Sequence, residues 1–337
     1  MIGIDIGSHI IKIVEVEKNG NSFELIASGA VGVQNVSIDK MEDEKDFVAL
    51  GDIIRKLHKE AGIRSKDVVV SLPETVSFTR TIHFPLLTDS EITSAVRWES
   101  EQYIPIPVSE AVIQHTIIER KESASPPEVV VLLVAAPRTV VDKYVKLVMS
   151  AGLNPIAVET EQIALARALA PVDRTVMVVD LGAKSTDLAI VKNGNLSFSR
   201  SIPIGGLAFT RAITQGLGIT DLQAEEYKKT YGVSKDQLEG KIKFALDPVL
   251  RMVTDEIKKA IHFYQSEEKG EIPASLIISG GTSGMPDIIS FLSESLNMEI
   301  LIANPFSKLV MDPEVAKKLA NFAPLYSVAV GLSMREE

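Results

Sequence analysis

The sequence contains no cysteine, which excludes disulfide bonds, thiolate catalysis and cysteine-ligated metal sites. Long apolar runs are also missing: no stretch reaches the roughly 18 to 20 residues that a membrane-spanning helix needs, and the N-terminus lacks the layout of a secretion signal. The longest apolar run, 129–136, is bounded by prolines, which indicates a buried strand. We therefore expect a soluble chain, and the lack of cysteine is compatible with a reducing cytoplasm.

Concentrated positive charge is absent as well. The formal net charge is −10, and no segment gathers the lysines and arginines that a nucleic-acid surface requires, so we expect no nucleic-acid partner. Hydrophobic residues make up 45% of the chain and charged residues 24%, which is typical of a globular protein. Because 337 residues exceed what one core usually holds, we expect about two domains.

What is present is one short pattern used twice. Segments 3–8 and 178–183 each deliver an aspartate, Asp5 or Asp180, to the end of an apolar strand, and a glycine follows two positions later. The glycine permits a tight turn whose backbone N–H groups point outward. One Asp-x-Gly turn alone would mean little. Two such hairpins facing each other could cradle a triphosphate, with the carboxylates holding a divalent cation through water.

The remaining pattern predicts strands that alternate with helices, and hence an α/β layer with a partly parallel sheet. From about residue 79 a strand-helix-strand-strand-helix unit follows. Its first helix is opened by Thr88, and Glu91 three positions later completes a capping box. We expect this unit to be an insertion into the first lobe. The expected domains are 1–77 with 152–173 and a returning 320–337 helix (first lobe core), 78–151 (inserted subdomain), 174–220 with 271–319 (second lobe core) and 221–270 (its helical subdomain).

Five segments, in order, resemble the actin-like ATPases, the superfamily of actin, DnaK-type chaperones and sugar kinases. They are a first phosphate loop (4–11), a first connector (158–169), a second phosphate loop (180–190), an adenosine loop (278–288) and a second connector (323–332). The second phosphate loop departs from the pattern of bacterial relatives at Ala183 and Lys184. The resemblance implies a two-lobed actin-like (ribonuclease H-like) α/β ATPase fold with an inserted strand-helix-strand-strand subdomain in the first lobe.

Further stretches point to one branch of the superfamily. Segments 202–206, with Thr210, and 224–232 resemble the FtsA and PilM branch. Segment 98–107, Trp-Glu-Ser-Glu-Gln-Tyr-Ile-Pro-Ile-Pro, closely resembles PilM proteins, which are cytoplasmic components of type IV pilus assembly machinery. FtsA relatives usually end in an amphipathic membrane-targeting helix after a linker, and none is expected here.

The resemblance implies a site for ATP and Mg²⁺ in which Asp5 and Asp180 face the metal and its water shell. Lys184 could reach a phosphate or lie solvated on its loop. Glu225 and Lys228, three apart on one helix face, could bind ribose or form a surface ion pair. The implied nucleotide contacts are Gly7, Ser8, His9, Lys12, Gly182, Ala183, Lys184, Ser185, Thr186, Gly205, Gly206, Glu225, Lys228, Gly280, Gly281 and Thr282.

Hydrolysis of ATP is left open by the sequence, because in-line attack needs a residue that positions water beyond the γ-phosphate. Glu159, in the first connector, is the candidate for that catalytic role. The alternative is a connector carboxylate paired with a nearby cation. We expect ATP binding and at most a weak ATPase, since a poor hydrolase that uses ATP as a clamp between the lobes would show the same sequence.

The resemblance to PilM also implies a partner, the N-terminal cytoplasmic peptide of a PilN-like bitopic inner-membrane protein, bound in a nucleotide-responsive manner. An apolar groove near the inserted subdomain would be lined by Trp98, Gln102, Tyr103, Ile104 and Pro105. The alternative for Trp98 is a place in the subdomain core. The expected location is cytoplasmic, at the inner face of the cytoplasmic membrane, with membrane contact made through the partner and self-association left open.

Two other functions fit the same superfamily. An FtsA-like protein would form filaments on membranes. A small-molecule kinase would need an aspartate base beside a sugar pocket in the first lobe. Phosphoryl transfer to sugars or acetate would identify the kinase, and ATP-dependent pelleting would identify the filament.

Overall fold

The computed structural model describes residues 1–336, so Glu337, the end of the expected 320–337 segment, lies outside the described residues. The chain divides into two compact units. The first contains Met1–Arg167, Asn195–Ser199 and the residues from Val328 onward, and the second contains Ala168–Gly194 and Arg200–Ser327. Residues 168–173 and 320–327, expected with the first lobe, thus lie in the second unit.

The strands are named in chain order. They are β1 (Ile2–Ile6), β2 (Ile10–Asn19), β3 (Ser22–Gly32), β4 (Asp67–Leu72), β5 (Phe78–Pro85), β6 (Ala111–Lys121), β7 (Glu128–Pro137), β8 (Asn154–Thr160), β9 (Val176–Leu181), β10 (Thr186–Lys192), β11 (Asn195–Ile202), β12 (Leu276–Ser279), β13 (Ile300–Ile302) and β14 (Leu309–Val310).

The α-helices are named in the same way. They are α1 (Glu44–Glu60), α2 (Asp89–Tyr103), α3 (Arg138–Ser150), α4 (Glu161–Leu169), α5 (Gly206–Leu217), α6 (Asp221–Tyr231), α7 (Lys241–Ser266), α8 (Ile288–Leu296), α9 (Pro313–Leu319) and α10 (Ser327–Ser333). Among residues 1–336, none of the helices combines the length and the apolar character that a membrane span requires.

The larger sheet of the first unit has the order β3-β2-β1-β4-β8, with β1 antiparallel to β2 and parallel to β4. Its central parallel strands β1 and β4 are buried along nearly their whole length and are rich in isoleucine and valine, as strands covered on both faces are. Helices α1 and α3 pack in the same core as these strands. The sequence assigns α3 to the inserted subdomain, but its buried residues Tyr144, Leu147 and Val148 lie in this larger core.

The inserted subdomain is a three-stranded antiparallel sheet in the order β5-β7-β6, with helix α2 and a core of its own. The capping box at the start of α2 is confirmed: Thr88 Oγ1 accepts a hydrogen bond from the backbone N–H of Glu91, whose carboxylate accepts one from the backbone N–H of Thr88. This cap fixes the first residue of the helix.

A five-stranded sheet has the order β11-β10-β9-β12-β13, with β9, β12 and β13 parallel. The hairpin between β10 and β11 turns through Asn193 and Gly194, both with left-handed backbone, as the tight two-residue connection requires. The carboxyl ends of parallel β9 and β12 lie side by side, with Ser279 opposite Asp180. The second phosphate loop and the adenosine loop therefore both begin at the carboxyl end of the sheet, next to each other.

Candidate functional site

Asp5 lies near the end of β1, where the chain turns into β2. Its buried carboxylate pairs with Lys12, which lies directly opposite on β2, and Lys12 Nζ is 2.6 Å from Asp5 Oδ2. Ser71 of β4 donates a hydrogen bond of 3.2 Å to the other carboxylate oxygen, Asp5 Oδ1. An ammonium and a hydroxyl thus fix this carboxylate at the strand end.

The turn after Asp5 has no room for a side chain at its first position. A Cβ added at Gly7 would lie 2.8 Å from the carbonyl oxygen of Ile10 and 3.2 Å from Lys12 Nζ. Ser8 and His9 continue the turn, with Ser8 Oγ 3.1 Å from His9 Nδ1. The residues predicted for the first phosphate loop therefore lie together at one end of the larger sheet.

Glu159, the predicted catalytic residue, is held by two guanidinium groups. Its carboxylate forms a bidentate pair with Arg167 of α4, at 2.6 and 2.8 Å, and Arg335 lies 3.0 Å from the same carboxylate. Arg167 also donates to the carbonyl oxygen of Gly331 in α10. The Glu159 side chain is 6% exposed, so both oxygens serve an internal ion pair. This is the cation-paired arrangement that the sequence leaves as the alternative.

A second carboxylate of the connector was not singled out from the sequence. Glu161 is half-buried and is the first residue of α4. Burial raises the pKa of Tyr144, and the negative charges of Glu161, Asp39 and Asp5 raise it further. Glu161 and Asp5 therefore both lie within electrostatic range of one buried phenol. The only signal in the sequence is that Glu161 directly follows the last residue of β8.

In the second unit, Asp180 and the adenosine loop approach each other closely. Gly280 has a φ of +84°, which favours glycine, and a Cβ there would lie 2.6 Å from the carbonyl oxygen of Leu181 and 3.0 Å from Asp180 Oδ1. Gly281 follows with ordinary space around it. These two loops therefore approach each other closely within the second unit.

The hydroxyl groups of the second phosphate loop are engaged within the protein. Ser185 Oγ donates to Asp187 Oδ2 at 2.7 Å, and Thr186 Oγ1 donates to the carbonyl oxygen of Ile204 at 2.7 Å. The side chain of Lys184 is exposed. The loop is therefore braced by its own hydroxyls, which leaves its backbone N–H groups as the donors for a phosphate.

A second pair of glycines packs against this loop. The N–H groups of Gly206 and Leu207 donate to the carbonyl oxygens of Gly182 and Ala183, each at 2.9 Å. A Cβ at Gly205 would lie 2.7 Å from the Ser185 nitrogen, too close for any side chain. The turn before α5 is therefore in direct backbone contact with the second phosphate loop.

Lys228 of α6 is the buried cation of this site. Its Nζ donates to the carbonyl oxygen of Gly206 and to Thr210 Oγ1, each at 3.0 Å, and to Glu225 Oε2 at 2.6 Å. Thr282 Oγ1 lies close to Gly206, where a Cβ would come within 2.5 Å of it, and it donates to the carbonyl oxygen of Gly182 at 3.4 Å. The pair predicted as ribose contacts or a surface ion pair is thus a half-buried network that supports the turn before α5.

Burial and hydrogen bonding act in opposite directions on the pKa of each partner, and a different one of the two effects prevails in Lys228 and in Glu225. Burial lowers the pKa of Lys228, and the hydrogen bond and charge of Glu225 offset part of that effect. Burial would raise the pKa of Glu225, but hydrogen bonds from Lys228 and Thr210 lower it to about 2. The difference follows from exposure, because the Lys228 side chain is 8% exposed and that of Glu225 is 33% exposed. Glu225 therefore stays ionised at neutral pH.

No cluster of three or more histidine, aspartate or glutamate side chains suited to holding a metal occurs within residues 1–336. Asp5 and Asp180 each lie beside a glycine turn whose close packing leaves space only for backbone. A magnesium ion bound to such carboxylates would take most of its ligands from phosphate oxygens and water, as Mg²⁺ commonly does. The residues present fit that mode of binding.

The predicted partner residues lie at the end of α2 and just beyond it. Trp98 is 67% exposed, so it is not part of the subdomain core, whereas Ile104 is 7% exposed and belongs to that core. Tyr103 is half-buried under the guanidinium of Arg80, at 4.0 Å from the ring centre. Gln102 is exposed, one helical turn from Trp98, and Pro105, beyond the helix end, is exposed too. The structure thus offers an exposed surface of Trp98, Gln102 and Pro105, with Tyr103 beside it.

Comparisons with known proteins agree with this architecture. The chain is similar to a solved "PilM-PilN type IV pilus biogenesis complex", with 29% identity, a TM-score of 0.85 and coverage of 99% of this chain and 97% of that chain. It is similar in fold to MreB5 of Spiroplasma citri bound to AMPPNP, with 15% identity, a TM-score of 0.56 and coverage of 98% and 93%.

Among curated proteins, the cell division protein FtsA of Bacillus subtilis (strain 168) is 21% identical over 93% of this chain and 80% of the relative. The fold is thus the two-lobed actin-like α/β fold that the sequence predicts. The profile of one family, described as "Type IV pilus assembly protein PilM", matches residues 3–337. With that match over almost its whole length, the chain belongs to the PilM family of type IV pilus assembly proteins.

Proposed function

We propose that this protein is an ATP-binding cytoplasmic component of the type IV pilus inner-membrane assembly complex. In this role it binds the N-terminal cytoplasmic peptide of a PilN-like membrane protein and responds to nucleotide. The observation that carries the nucleotide part is the convergence, within the second unit, of the second phosphate loop, the Gly205–Gly206 turn and Thr282 of the adenosine loop. Family membership supports the pilus role.

The nucleotide contacts of the second unit follow from its geometry. Backbone N–H groups at Gly182 to Thr186 are the proposed phosphate donors, because the Ser185 and Thr186 hydroxyls are already used. Gly280 and Gly281 provide a close backbone surface for a flat base and ribose. Lys228 holds the carbonyl of Gly206 and thereby the shape of the turn.

The metal and the first phosphate loop are proposed in the same way. Asp5 and Asp180 would hold Mg²⁺ through water, and the bound ion would neutralise charge on the β- and γ-phosphates. Lys12 pairs with Asp5 and is itself a point charge suited to a phosphate. Gly7, Ser8 and His9 would provide the backbone of the first phosphate loop.

Hydrolysis is proposed to be weak at most. Since both oxygens of Glu159 serve Arg167 and Arg335, we propose that Glu159 joins β8 to α4 and the C-terminal segment. We therefore propose Glu161, the half-buried first residue of α4, as the connector carboxylate that would orient water.

The partner site is proposed on the exposed surface at the end of α2. Trp98 presents a large apolar ring with a polar N–H, a combination enriched at protein interfaces. Gln102 and Pro105 extend this surface past the helix end. The similar solved structure is described as a PilM–PilN complex, which supports a PilN-like peptide as the ligand.

Calorimetric titration of a synthetic PilN-like N-terminal peptide into the full chain, with and without Mg-ATP, tests both parts. Trp98→Ala should abolish peptide binding and leave ATP binding intact. Asp5→Ala should lower ATP affinity and remove the effect of ATP on the peptide. Tight ATP binding without any peptide binding would overturn the partner assignment and direct attention to filament formation or a kinase.

A further inference from the structure

The inserted subdomain joins the larger core of the first unit through two neighbouring chain segments, which we call its root. Ala135 belongs to the subdomain core, and the next residue, Ala136, belongs to the larger core. Phe78 of β5 lies opposite Ala135, and Val76, two residues earlier, packs against the larger core. A root of two segments is narrow enough to act as a hinge, so contacts outside it decide how the subdomain is oriented.

Strand β11 provides contacts of this kind. Its residues Asn195–Ser199 belong to the first unit, and Thr81 Oγ1 of β5 donates to the carbonyl oxygen of Ser197 at 2.7 Å. Because side chains alternate along a strand, Thr81 lies on the sheet face opposite to Ile82, which packs in the subdomain core with α2. The first half of β11 therefore lies against the face of the three-stranded sheet that α2 does not cover.

Glu74 connects this part of β11 to the root. It lies in the segment between β4 and β5, its side chain is buried, and its carboxylate accepts hydrogen bonds from Ser199 Oγ of β11 and, at 3.3 Å, from Ser77 Oγ of its own turn. Burial of a carboxyl group is costly unless its oxygens are hydrogen-bonded. Glu74 therefore favours the arrangement in which β11 stays docked at the root, and we call the Glu74–Ser199 hydrogen bond the latch.

The segments on both sides of the latch lead to the proposed nucleotide site. Three residues before Glu74, at the end of β4, Ser71 donates to the carboxylate of Asp5. On the other side, the chain of β11 continues into the second unit, where the carbonyl oxygen of Ile204 accepts the hydrogen bond of Thr186 in the second phosphate loop. A change in the docking of β11 is therefore passed along continuous chain to both loops.

We propose that the latch fixes the orientation of the inserted subdomain in the first unit and relays a change at that subdomain to the second phosphate loop. Glu74 is a positioning residue in this role, because it acts through β11 and not on a ligand. A ligand that binds the latched form more tightly than the released form shifts the population toward the latched form. The fixed orientation stands independently of the proposed function, whereas the relay rests on it.

The orientation is tested on the full chain without any ligand. Because the sequence contains no cysteine, the paired substitutions Lys59→Cys on α1 and Thr116→Cys on β6, both at exposed positions, carry spin labels without a competing thiol. Double electron–electron resonance between the two labels then reports the distance from the larger core to the inserted subdomain.

Two variants remove the latch, and two are matched controls. Ser199→Ala and Glu74→Ala each abolish the hydrogen bond to β11. Ser77→Ala removes a bond to the same carboxylate without affecting β11. Glu74→Gln is the conservative control, because the amide keeps an oxygen that accepts from Ser199.

We expect one narrow distance distribution for the wild type, Ser77→Ala and Glu74→Gln, and a broadened or shifted one for Ser199→Ala and Glu74→Ala. If Glu74→Ala fails to fold, Ser199→Ala alone decides the question. A wild-type distribution in Ser199→Ala, even with a lowered urea midpoint, would reduce the latch to a stabilising contact and overturn the proposal. Equal broadening in Ser77→Ala and Ser199→Ala would overturn it too.

The relay is tested by repeating the distance measurement with Mg-ATP. We expect Mg-ATP to shift the wild-type distribution and to leave that of Ser199→Ala unshifted. A chain that binds ATP by calorimetry but keeps the same wild-type distribution would refute the relay. A chain that binds no ATP would instead refute the proposed function, while the latch would still be decided by the distributions without ligand.

Discussion

Replacement of Glu159 by glutamine separates the two roles open to this carboxylate. In the structure Glu159 accepts charge-assisted hydrogen bonds from Arg167 at 2.6 and 2.8 Å and from Arg335 at 3.0 Å. The amide keeps one acceptor oxygen but turns an N–H₂ group toward a guanidinium that can only donate. A structural role therefore predicts a large loss of stability, whereas a role in hydrolysis predicts a loss of turnover.

The magnitude follows from the contacts and their exposure. Removal of one partner from a fully buried ion pair costs about 3–5 kcal/mol, and a single charge-assisted hydrogen bond is worth about 1.5–3 kcal/mol. Here the Glu159 side chain is 6% exposed, but those of Arg167 and Arg335 are 26% and 38% exposed, so water recovers part of the loss. We expect Glu159→Gln to lower the free energy of unfolding by roughly 2–4 kcal/mol.

The assay is urea unfolding followed by circular dichroism. Fluorescence of the single tryptophan is unsuitable, because Trp98 is already 67% exposed in the folded protein. Arg335→Ala is the matched control, since it removes only the 3.0 Å bond and should cost less than Glu159→Gln. Because the chain has two units, the midpoint of each resolved transition is compared, not a single overall value.

One result would refute this reasoning. If Glu159→Gln unfolds at the wild-type urea concentration and abolishes hydrolysis of ATP, the carboxylate acts in the reaction and the ion pair contributes little to stability. The parallel variant Glu161→Gln should reduce turnover if that carboxylate orients the attacking water. Equal behaviour of the two variants would leave no reason to distinguish the two carboxylates.

Three further predictions concern other buried groups. Lys228→Met should weaken ATP binding more than tenfold by calorimetry, because the carbonyl of Gly206 loses its ammonium donor and keeps only the hydroxyl of Thr210; unchanged affinity would contradict this. Gly205→Ala should destabilise by about 1–3 kcal/mol in urea, because its Cβ would meet the Ser185 nitrogen at 2.7 Å; wild-type stability would show that the turn can yield. Burial raises the pKa of Glu74 above 4.5, so its contribution to stability is present at low pH and is lost as the pH rises through the raised folded-state pKa. In that range urea midpoints should fall for the wild type and stay level for Glu74→Gln, and parallel profiles would rule out this account.

The local turns were predictable from the sequence because each is decided by a few adjacent residues. The Asp-x-Gly hairpins at Asp5 and Asp180 and the capping box at Thr88 all depend on chemistry within four residues. The surroundings of α3 were not predictable in this way. An apolar helix face specifies that the helix packs on something but not on which sheet, so Tyr144 was expected in the inserted subdomain and lies in the larger core.

The pairing of Glu159 with Arg335 was outside the reach of the sequence for a similar reason. The two residues are 176 positions apart, and no local pattern marks an arginine near the end of the chain as the partner of a connector carboxylate. The exposure of Trp98 was also not predictable from the sequence, here because the residue type favours the opposite environment. Tryptophan is usually well buried, and only the position of the small core on the opposite face of α2 shows that this ring points outward.

The motif of the second phosphate loop predicts which polar groups are present but not which partners their hydroxyls bind. The motif is rich in serine and threonine, and hydroxyls near a phosphate loop suggest direct phosphate donors. In the structure the Ser185 hydroxyl donates a hydrogen bond to the Asp187 carboxylate, and the Thr186 hydroxyl donates one to the carbonyl oxygen of Ile204. These bonds fix the loop, and a fixed loop holds its backbone N–H groups in one arrangement, which lowers the cost of ordering the loop around a ligand. If the loop binds phosphate as proposed, the polar residues of the motif act by shaping the backbone, and Gly182 and Gly205, where side chains would intrude, matter as much as the hydroxyls beside them.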